Sequence, residues 1–374
     1  MKKSTKETIA IVGAGAIGRG FLPWKIDTEK YRLLFIDSNP ALLELMNKNG
    51  GYRTFRMKGG TSEEKYVKVG QAFHPSEIAL GSLEHLAAVF MAVGPKNVID
   101  ASACLKGISC PVILCENDPK TVQIISTHLN YERVYFAVPD VITSNTASPK
   151  NLSADPLAIH SEDGVLYIDE RAGFIDGDIS FLSEDELINK QWTPKLFLHN
   201  TPHCVAAYLG AMRGFQFLHD VMKREDLKEI VVEAMNEMLA VQKIKAEGES
   251  EFLEWYADKE ISRFSDELLY DPISRVAREP YRKLEIDGRL IGAVHDCIAA
   301  KKPFDNIMIG IVCAALCAYH NQTDISKIEF DIDSAKSKVI SVFSKIGIFG
   351  TVVGDTLLEN LDEALRKIQN KVAL

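Results

Sequence analysis

A short polar stretch near the middle of the chain contains residue types that could oxidise an alcohol. Lys195, Asn200 and His203 occupy positions i, i+5 and i+8, just before a segment with helical periodicity. Removing hydride from an alcohol requires a base for the hydroxyl proton, and a partly desolvated lysine can serve because burial lowers its pKa. An asparagine amide can donate to the developing alkoxide, and a histidine can orient the hydroxyl. Polar residues before a helix are nevertheless more often caps or surface groups than a catalytic set.

A glycine-rich turn near the N-terminus is the second stretch with a chemical signature. The strand-like run Ile9–Val12 leads directly into a G-x-G-x-x-G pattern, which then opens a helix. Glycines at these spacings permit a tight turn, close approach to a pyrophosphate and close packing of helix on strand, while the helix N-terminus faces the anion. A purely structural turn is the alternative. The predicted dinucleotide contacts are Gly13, Gly15, Ala16, Ile17 and Gly18.

Two further strand ends complete the predicted cofactor site. The next strand-like run ends at Asp37, 19 residues after Gly18, where a carboxylate would accept hydrogen bonds from the adenosine ribose and repel a 2′-phosphate. This predicts NAD rather than NADP. Val93 and Gly94 follow another strand-like run, and loops at strand carboxyl ends line the cofactor crevice of a doubly wound sheet. We predict that they contact the nicotinamide side, although an ordinary turn has the same composition.

A basic segment later in the chain is a candidate anion site. Arg275, Arg278, Arg282 and Lys283 fall within nine residues, and guanidinium groups suit the bidentate binding of phosphate. A solvated helix face shows the same charge pattern. Residue types alone do not separate the two interpretations.

These stretches together resemble the polyol-specific long-chain dehydrogenase/reductase family. The resemblance is carried by the segments GAGAIGRG at 13–20, AVGP at 92–95, CEN at 115–117, K-x4-N-x2-H at 195–203 and DPISRVAREPYRKL at 271–284. They follow one another in family order across nearly the whole chain. The resemblance implies a Rossmann-type fold, NAD as cofactor and hydride transfer to or from a polyol. The length fits the branch that converts D-mannitol 1-phosphate to D-fructose 6-phosphate reversibly.

The resemblance also assigns catalytic roles, in a mechanism that uses no metal. Lys195 would be the general base. Asn200 and Asn117 would form the oxyanion hole, and His203 would hydrogen-bond the same substrate oxygen. Asp140 would connect with the proton path of the lysine.

Substrate contacts are implied in the same way. Arg275 and Lys283 match positions that contact polyol hydroxyls in the family. Arg278 and Arg282 resemble the additional charges of the phosphate branch. The predicted substrate is therefore a polyol phosphate.

Two positions depart from the family pattern and keep other substrates open. Val141 stands where the family usually has Arg, and Pro202 stands where it usually has Gly. Either change could reshape the pocket, so an unphosphorylated hexitol such as mannitol, or a sugar acid such as altronate, is the alternative substrate. An NAD-binding sensor without turnover is a further alternative, which the presence of Lys195 disfavours because a sensor needs no general base.

The remaining pattern predicts the elements that must hold these residues. In residues 1–192, short apolar runs alternate with helix-like stretches, which indicates βαβ units and a mostly parallel sheet. From residue 193 onward the periodicity is almost entirely helical. We therefore predict an α/β Rossmann-type doubly wound NAD-binding domain over 1–192 and a mainly α-helical substrate and catalytic domain over 193–374.

Composition narrows the possible partners. The 374 residues carry 43 Lys and Arg against 52 Asp and Glu, a net charge of −9, which lacks the basic footprint of a nucleic-acid binder. The apolar run 307–319 is too short to span a bilayer and indicates a buried helix. The seven cysteines form no C-x-x-C pair or zinc set, which predicts buried thiols, no metal site and a cytoplasmic protein. We expect a monomer or homodimer whose partner is a small-molecule polyol or polyol phosphate, with no nucleic-acid or membrane partner.

Overall fold

The computed structural model describes residues 6–58, 60–246 and 248–372. The chain divides into two compact units. The first comprises Met1–Trp192 with Leu268–Tyr270, and the second comprises Thr193–Glu267 with Asp271–Leu374. Within the described ranges, no helix has both the length and the apolar content that a bilayer span needs.

The first unit is organised around two β-sheets. Its strands are β1 (Glu7–Val12), β2 (Tyr31–Ile36), β3 (Gly51–Lys58), β4 (Thr61–Lys68), β5 (Ala72–Phe73), β6 (Leu86–Met91), β7 (Val112–Leu114), β8 (Val134–Asp140), β9 (Ile159–Glu162), β10 (Val165–Asp169) and β11 (Ser180–Leu182). The large sheet has the order β11-β10-β8-β7-β6-β1-β2-β5, and the small sheet has the order β4-β3-β9. All neighbours from β8 to β5 are parallel, whereas β10 runs antiparallel to β8.

Apolar side chains cover both faces of the large sheet. In β1, Ile9 and Ile11 belong to the core on one face, and Ala10 and Val12 belong to the core on the other. Successive side chains of a strand point to opposite faces, so a strand covered on both sides is apolar throughout. The helices of this unit are α1 (Leu22–Lys25), α2 (Pro40–Asn49), α3 (Val98–Ala101), α4 (Lys120–Leu129), α5 (Pro149–Ala154) and α6 (Glu184–Glu186). The predicted doubly wound sheet is confirmed.

The second unit is helical. Its helices are α7 (Thr201–Arg213), α8 (Leu218–Met222), α9 (Glu225–Lys245), α10 (Ser250–Phe264), α11 (Ile273–Val276), α12 (Pro280–Lys283), α13 (Ile291–Ala300), α14 (Asp305–His320), α15 (Ile332–Lys345) and α16 (Val352–Lys371). Helices α7 and α14 are buried along nearly their whole length. They approach closely at Gly310, where a Cβ atom would lie 2.7 Å from Cγ2 of Val205. The helix predicted from the late apolar run is therefore confirmed as a central core helix.

All seven cysteine side chains are buried and none forms a disulfide, as the sequence predicted. Burial raises the pKa of several of these thiols, to about 12 for Cys104 and Cys297, so they act as small apolar groups. Among the described residues, no three His, Cys, Asp or Glu side chains are grouped as metal ligands would be.

Candidate active site

The predicted cofactor residues lie where the order of the strands in the large sheet reverses, next to β1. Strands β2 and β5 lie on one side of β1, and β6, β7 and β8 lie on the other. In open α/β sheets, ligands bind outside the carboxyl ends of the strands at such a switch point. The loops after β1 and β6 meet there, because a Cβ atom on Gly13 (φ +98°) would lie 2.3 Å from the carbonyl oxygen of Ala92. Only glycine fits this position.

The other two glycines of the motif differ from each other in the way a dinucleotide requires. A Cβ atom on Gly18 would lie 1.9 Å from the carbonyl oxygen of Gly13, whereas one on Gly15 would meet no atom within 4 Å. Gly18 therefore serves internal packing, and Gly15, followed by the helical turn Ala16–Phe21, leaves open space in front of the loop. This arrangement fits a pyrophosphate held by backbone N–H groups at Gly15, Ala16 and Ile17.

Asp37 is tied directly to the glycine-rich loop. Its Oδ2 accepts a hydrogen bond from the backbone N–H of Ala14 at 2.7 Å, and its Oδ1 accepts from the N–H of Asn39 at 2.9 Å. Arg19 holds the other side of the same residue, because its Nε donates to the carbonyl oxygen of Ala14 at 2.6 Å. The carboxylate predicted to bind ribose thus also fixes the loop predicted to bind pyrophosphate.

The loop after β6 is held by a buried carboxylate. Oε1 and Oε2 of Glu116 accept hydrogen bonds from the N–H groups of Val93 and Gly94, at 2.8 and 2.9 Å. Gly94 has φ +89°, a conformation that other residues rarely adopt. Because Glu116 uses both N–H groups, contacts from Val93 and Gly94 to a nicotinamide ring would come from the valine side chain and the carbonyl oxygens.

We expect Glu116→Gln to raise KM for NADH by about tenfold, because the amide presents N–H groups to a backbone donor and costs about 1–3 kcal/mol at one unsatisfied contact. The measurement is the KM for NADH together with NADH binding by fluorescence. Glu132→Gln is the matched control, since Glu132 is an exposed residue of the same unit. An unchanged KM with a normal melting temperature would exclude a role for Glu116 in holding this loop.

Asn117 and Asp140 lie at the carboxyl ends of neighbouring strands. Asn117 follows β7 and is exposed, whereas Asp140 is the last residue of β8 and is buried. Strands β7 and β8 are parallel. Both residues therefore lie along the same edge of the sheet as the glycine-rich loop.

A π-helical turn places the predicted general base in the helical unit. Residues Lys195–Asn200 form this turn, which continues into α7. Its i to i+5 hydrogen-bond pattern brings Lys195 and Asn200 one turn apart, and such turns are frequent at functional sites. His203 follows Asn200 by three residues in α7, so it lies on an adjacent part of the same surface. The side chains of all three residues are buried.

The geometry removes one interpretation that the sequence left open. Asn200 precedes α7 but has helical backbone angles, and its side chain makes no capping hydrogen bond to the described backbone of that helix. Pro202 lies in the first turn of α7, where a proline is tolerated. Helix capping therefore does not explain Asn200, and the departure at Pro202 leaves the helix intact.

His203 is part of a buried polar network. Its Nε2 lies 2.8 Å from Oδ2 of Asp271, and Oδ1 of Asp271 accepts from Nε and Nη2 of Arg275 at 3.0 and 2.6 Å. The ring stacks on Phe264, with centroids 5.1 Å apart. Asp271 therefore joins a predicted catalytic residue to a predicted substrate-binding residue.

A second carboxylate lies beside this network. Nδ1 of His199 is 2.5 Å from Oε2 of Glu260, and Arg263 donates to Oε1 of Glu260. All three side chains are buried. The rings of His199 and His203 are 4.8 Å apart, so the Glu260 pair supports the position of His203.

The four basic residues of the predicted substrate segment have different surroundings. Arg278 is exposed, and Arg282 pairs with Glu279 at 3.2 Å. Lys283 is buried and donates to the carbonyl oxygens of Val276 and Arg278. Burial lowers the pKa of Lys283 to about 7, opposed by Cys204 and assisted by nearby arginines. The lysine thus closes the turn from which Arg278 projects.

Arg282 retains an unused donor. Its Nε is buried and has no hydrogen-bond partner among the described residues. A buried N–H without a partner is costly, and an anion is the group that would satisfy it best.

Comparison with known proteins identifies the helical unit. Residues 188–367 match the sequence profile of the mannitol dehydrogenase C-terminal domain. These residues form a mannitol dehydrogenase C-terminal domain. The match includes the π-helical turn, α7 and the basic segment, which are the parts of the chain that carry the polar network.

Sequence similarity to curated proteins extends over most of the chain, beyond this domain. The mannitol-1-phosphate 5-dehydrogenase of Clostridium acetobutylicum is 26% identical over 333 residues, covering 82% of this chain and 86% of its own. The enzyme of the same name from Bacillus pumilus is 27% identical over 378 residues, covering 95% and 97%. The predicted family is confirmed by these matches, which support an NAD-dependent polyol dehydrogenase.

A solved structure has the same fold as the whole chain. Pseudomonas fluorescens mannitol 2-dehydrogenase, solved as a ternary complex with NAD and D-mannitol, superposes with a TM-score of 0.73, although only 14% of the residues are identical. The alignment covers 99% of this chain and 93% of that protein. The fold predicted from the sequence, a Rossmann-type doubly wound sheet followed by a mainly α-helical domain, is therefore confirmed.

Sequence reasoning missed three residues of this site. Glu116 and Asp271 hydrogen-bond predicted functional residues at 2.8–2.9 Å, and Glu260 pairs with His199, the neighbour of His203, at 2.5 Å. Glu116 and Asp271 fall inside segments that carried the family resemblance, which was the available signal. Glu260 lies 61 residues from His199, and nothing in its local sequence indicates the pairing.

Proposed function

We propose that this protein is an NAD-dependent dehydrogenase that interconverts a polyol phosphate and the corresponding ketose phosphate, with D-mannitol 1-phosphate and D-fructose 6-phosphate as the favoured pair. The observation that carries the proposal is the buried group of Lys195, Asn200 and His203 at the start of α7, within a mannitol dehydrogenase C-terminal domain. It provides a base and an amide donor for the reacting oxygen, and a histidine that can hydrogen-bond the substrate.

NAD is the cofactor that the residues of the first unit fit. Gly15 leaves room for the pyrophosphate, and the carboxylate of Asp37 suits the ribose hydroxyls while repelling a 2′-phosphate. When bound, NAD supplies the acceptor for the hydride of the alcohol carbon. The residues of the protein bind the cofactor and accept the hydroxyl proton.

Lys195 takes the hydroxyl proton as the alcohol is oxidised. Asn200 and Asn117 donate hydrogen bonds to the oxygen as negative charge develops on it, which stabilises the transition state. The family resemblance assigns Asp140, at the end of β8, to the proton path of Lys195. In the reverse direction, protonated Lys195 delivers the proton to the carbonyl oxygen.

The substrate phosphate is bound by Arg278 and Arg282. Arg278 is exposed, and Arg282 carries the buried Nε that lacks a partner, so both have donors for an anion. Arg275 and Lys283 contact the polyol hydroxyls. They use the N–H groups that are not already engaged in hydrogen bonds within the protein. The reaction takes place in the cytoplasm, where a reducing environment suits the seven buried thiols.

An unphosphorylated hexitol is the second candidate substrate. It is favoured by one observation, that Arg275 and Arg282 already pair with Asp271 and Glu279. Internal carboxylates of this kind reduce the positive charge offered to a phosphate. The two candidates make opposite predictions for the same assay.

The deciding experiment measures NADH oxidation with D-fructose 6-phosphate and D-fructose side by side, with and without EDTA. A strong preference for the phosphate that EDTA does not change would support the proposal. Preference for fructose would favour the unphosphorylated substrate, and inhibition by EDTA would contradict the metal-free mechanism. Tight NADH binding with neither sugar reduced would indicate a sugar acid or a sensor.

Replacing Asp37 should relax the choice of cofactor. We expect Asp37→Ser to raise the ratio of kcat/KM with NADPH to that with NADH by at least about tenfold, because a charge repulsion of a few kcal/mol with the 2′-phosphate is removed. Asp37→Asn is the matched variant, since its side-chain oxygen can still accept from the N–H of Ala14. If neither variant changes the cofactor ratio, Asp37 does not contact the ribose.

A further inference from the structure

One buried carboxylate controls how His203 can bind a substrate. We propose that Asp271 fixes the ring proton of His203 on Nε2, so that Nδ1 accepts a hydrogen bond from a substrate hydroxyl and does not donate one to the carbonyl oxygen. This inference rests on the proposed function for its substrate, and it makes Asp271 a positioning residue of the site. It also assigns His203 a narrower role than the family resemblance implied.

The contact between the two side chains is short and shielded. Nε2 of His203 lies 2.8 Å from Oδ2 of Asp271, and the two side chains are only 6% and 5% exposed. The histidine ring is also stacked on Phe264 at an interplanar angle of 18°. Packing and hydrogen bond together fix one orientation of the ring, with Nε2 facing the carboxylate.

The charges of the pair decide which group donates. Burial alone would raise the pKa of Asp271, but Arg275 and His203 outweigh it and lower that pKa to about 2. Burial lowers the pKa of His203, although Asp271 opposes the shift. Near neutral pH the pair is therefore an ionised carboxylate and a neutral imidazole.

An ionised carboxylate can only accept hydrogen bonds, and a neutral imidazole has a single N–H. The proton must then lie on Nε2, where it donates to Asp271. The same reasoning leaves a lone pair on Nδ1, which makes that atom an acceptor. The tautomer of His203 follows from its partner and not from its sequence position.

In this tautomer, Nδ1 of His203 can form a hydrogen bond with a hydroxyl group but not with a carbonyl oxygen. A polyol hydroxyl can donate to Nδ1, whereas a ketose carbonyl has no proton to offer. The carbonyl oxygen is therefore left to protonated Lys195 and to an amide donor, for which Asn200 is the nearest candidate in sequence. His203 instead selects a substrate that carries a hydroxyl where its Nδ1 is placed, which suits a polyol.

Asp271 positions a second group at the same time. Its Oδ1 accepts from both Nε and Nη2 of Arg275, which fixes the plane of the guanidinium group. The histidine and the arginine are thus aligned by the two oxygens of one side chain. Loss of the carboxylate would disturb both contacts to the polyol.

The first test observes the tautomer directly, in the full-length protein without substrate. The probe is the two-bond proton–nitrogen NMR spectrum of protein labelled with ¹⁵N-histidine, with His203→Gln to assign the signals. We expect Nε2 protonated and Nδ1 unprotonated in the wild-type protein. A ring protonated on Nδ1 would overturn the proposal, and this result requires no variant of Asp271 to fold.

The second test changes the partner of the ring. In Asp271→Asn the amide can donate to Nε2, which moves the ring proton to Nδ1. We expect kcat/KM for D-mannitol 1-phosphate oxidation to fall by about 100-fold or more, as wrong-tautomer substitutions do in other enzymes, while NADH binding is unchanged. Asp220→Asn is the matched control, since Asp220 lies 3.4 Å from His219 in the same unit.

The outcomes distinguish this inference from the proposed function. A shifted tautomer with a large loss of oxidation supports the inference. A shifted tautomer with wild-type kinetics overturns the role of Nδ1 in substrate binding. If the wild-type protein acts on no polyol or polyol phosphate, the proposed function fails, whereas the NMR spectrum still decides whether Asp271 sets the tautomer.

Discussion

Replacing Lys195 by alanine is expected to lower kcat by about 10³-fold, because general base catalysis contributes about 10²- to 10⁴-fold. The alcohol would lose the group that takes its proton, while the cofactor residues of the first unit would stay in place. KM for NADH should therefore change little. The measurement is steady-state kinetics in both directions, with NADH binding followed by fluorescence.

Two further variants make the result specific for the amine. Lys195→Met retains most of the side-chain volume at this buried position, so a similar loss in both variants excludes a packing effect. Lys190→Ala removes an exposed lysine that pairs with Glu186 and should leave kcat unchanged. Wild-type turnover in Lys195→Ala would show that another group is the base.

The second large effect is expected from removing two arginines together. Replacing Arg278 and Arg282 by alanine should raise KM for D-fructose 6-phosphate by about 100-fold, since a hydrogen bond to a charged group contributes about 1.5–3 kcal/mol. KM for unphosphorylated D-fructose should change by much less. The difference between the two sugars, and not either value alone, measures the phosphate contact.

The matched control for this variant is Arg224→Ala. Arg224 lies in the same unit and pairs with Asp226 on the surface. It carries the same charge as Arg278 and Arg282 but has no predicted role in substrate binding. Equal losses for D-fructose 6-phosphate and D-fructose in the double variant would contradict a phosphate site at Arg278 and Arg282. Such losses would indicate instead that these arginines stabilise the turn that Lys283 closes.

The elements of the fold were largely predictable from the sequence. Strand β1 and its neighbours are buried on both faces, so continuous apolar runs predict them. Helical periodicity from residue 193 onward predicts a helical second domain, and helices such as α10 and α13 lie in that region. Leu268–Tyr270 belongs to the first unit, which no local pattern indicates, because Tyr270 is held there by a hydrogen bond from Ser144.

The site was predictable only where its residues share a local segment. Lys195, Asn200 and His203 lie within nine residues, and their spacing was informative. The π-helical turn that aligns them was not, since it depends on packing and not on residue type. Glu116 and Asp271 act on groups 22 to 68 residues away, and such partners become evident only when the chain is folded.

The hydrogen bond between Asp37 and Ala14 links cofactor choice to the integrity of the loop. Any substitution that admits a 2′-phosphate also removes an acceptor from the glycine-rich turn, unless the new side chain supplies one. A change from NAD to NADP would therefore proceed most readily through an intermediate such as asparagine, which discards the charge and keeps the acceptor. Cofactor preference and the stability of the glycine-rich loop both depend on residue 37. This dependence constrains the order in which substitutions can accumulate.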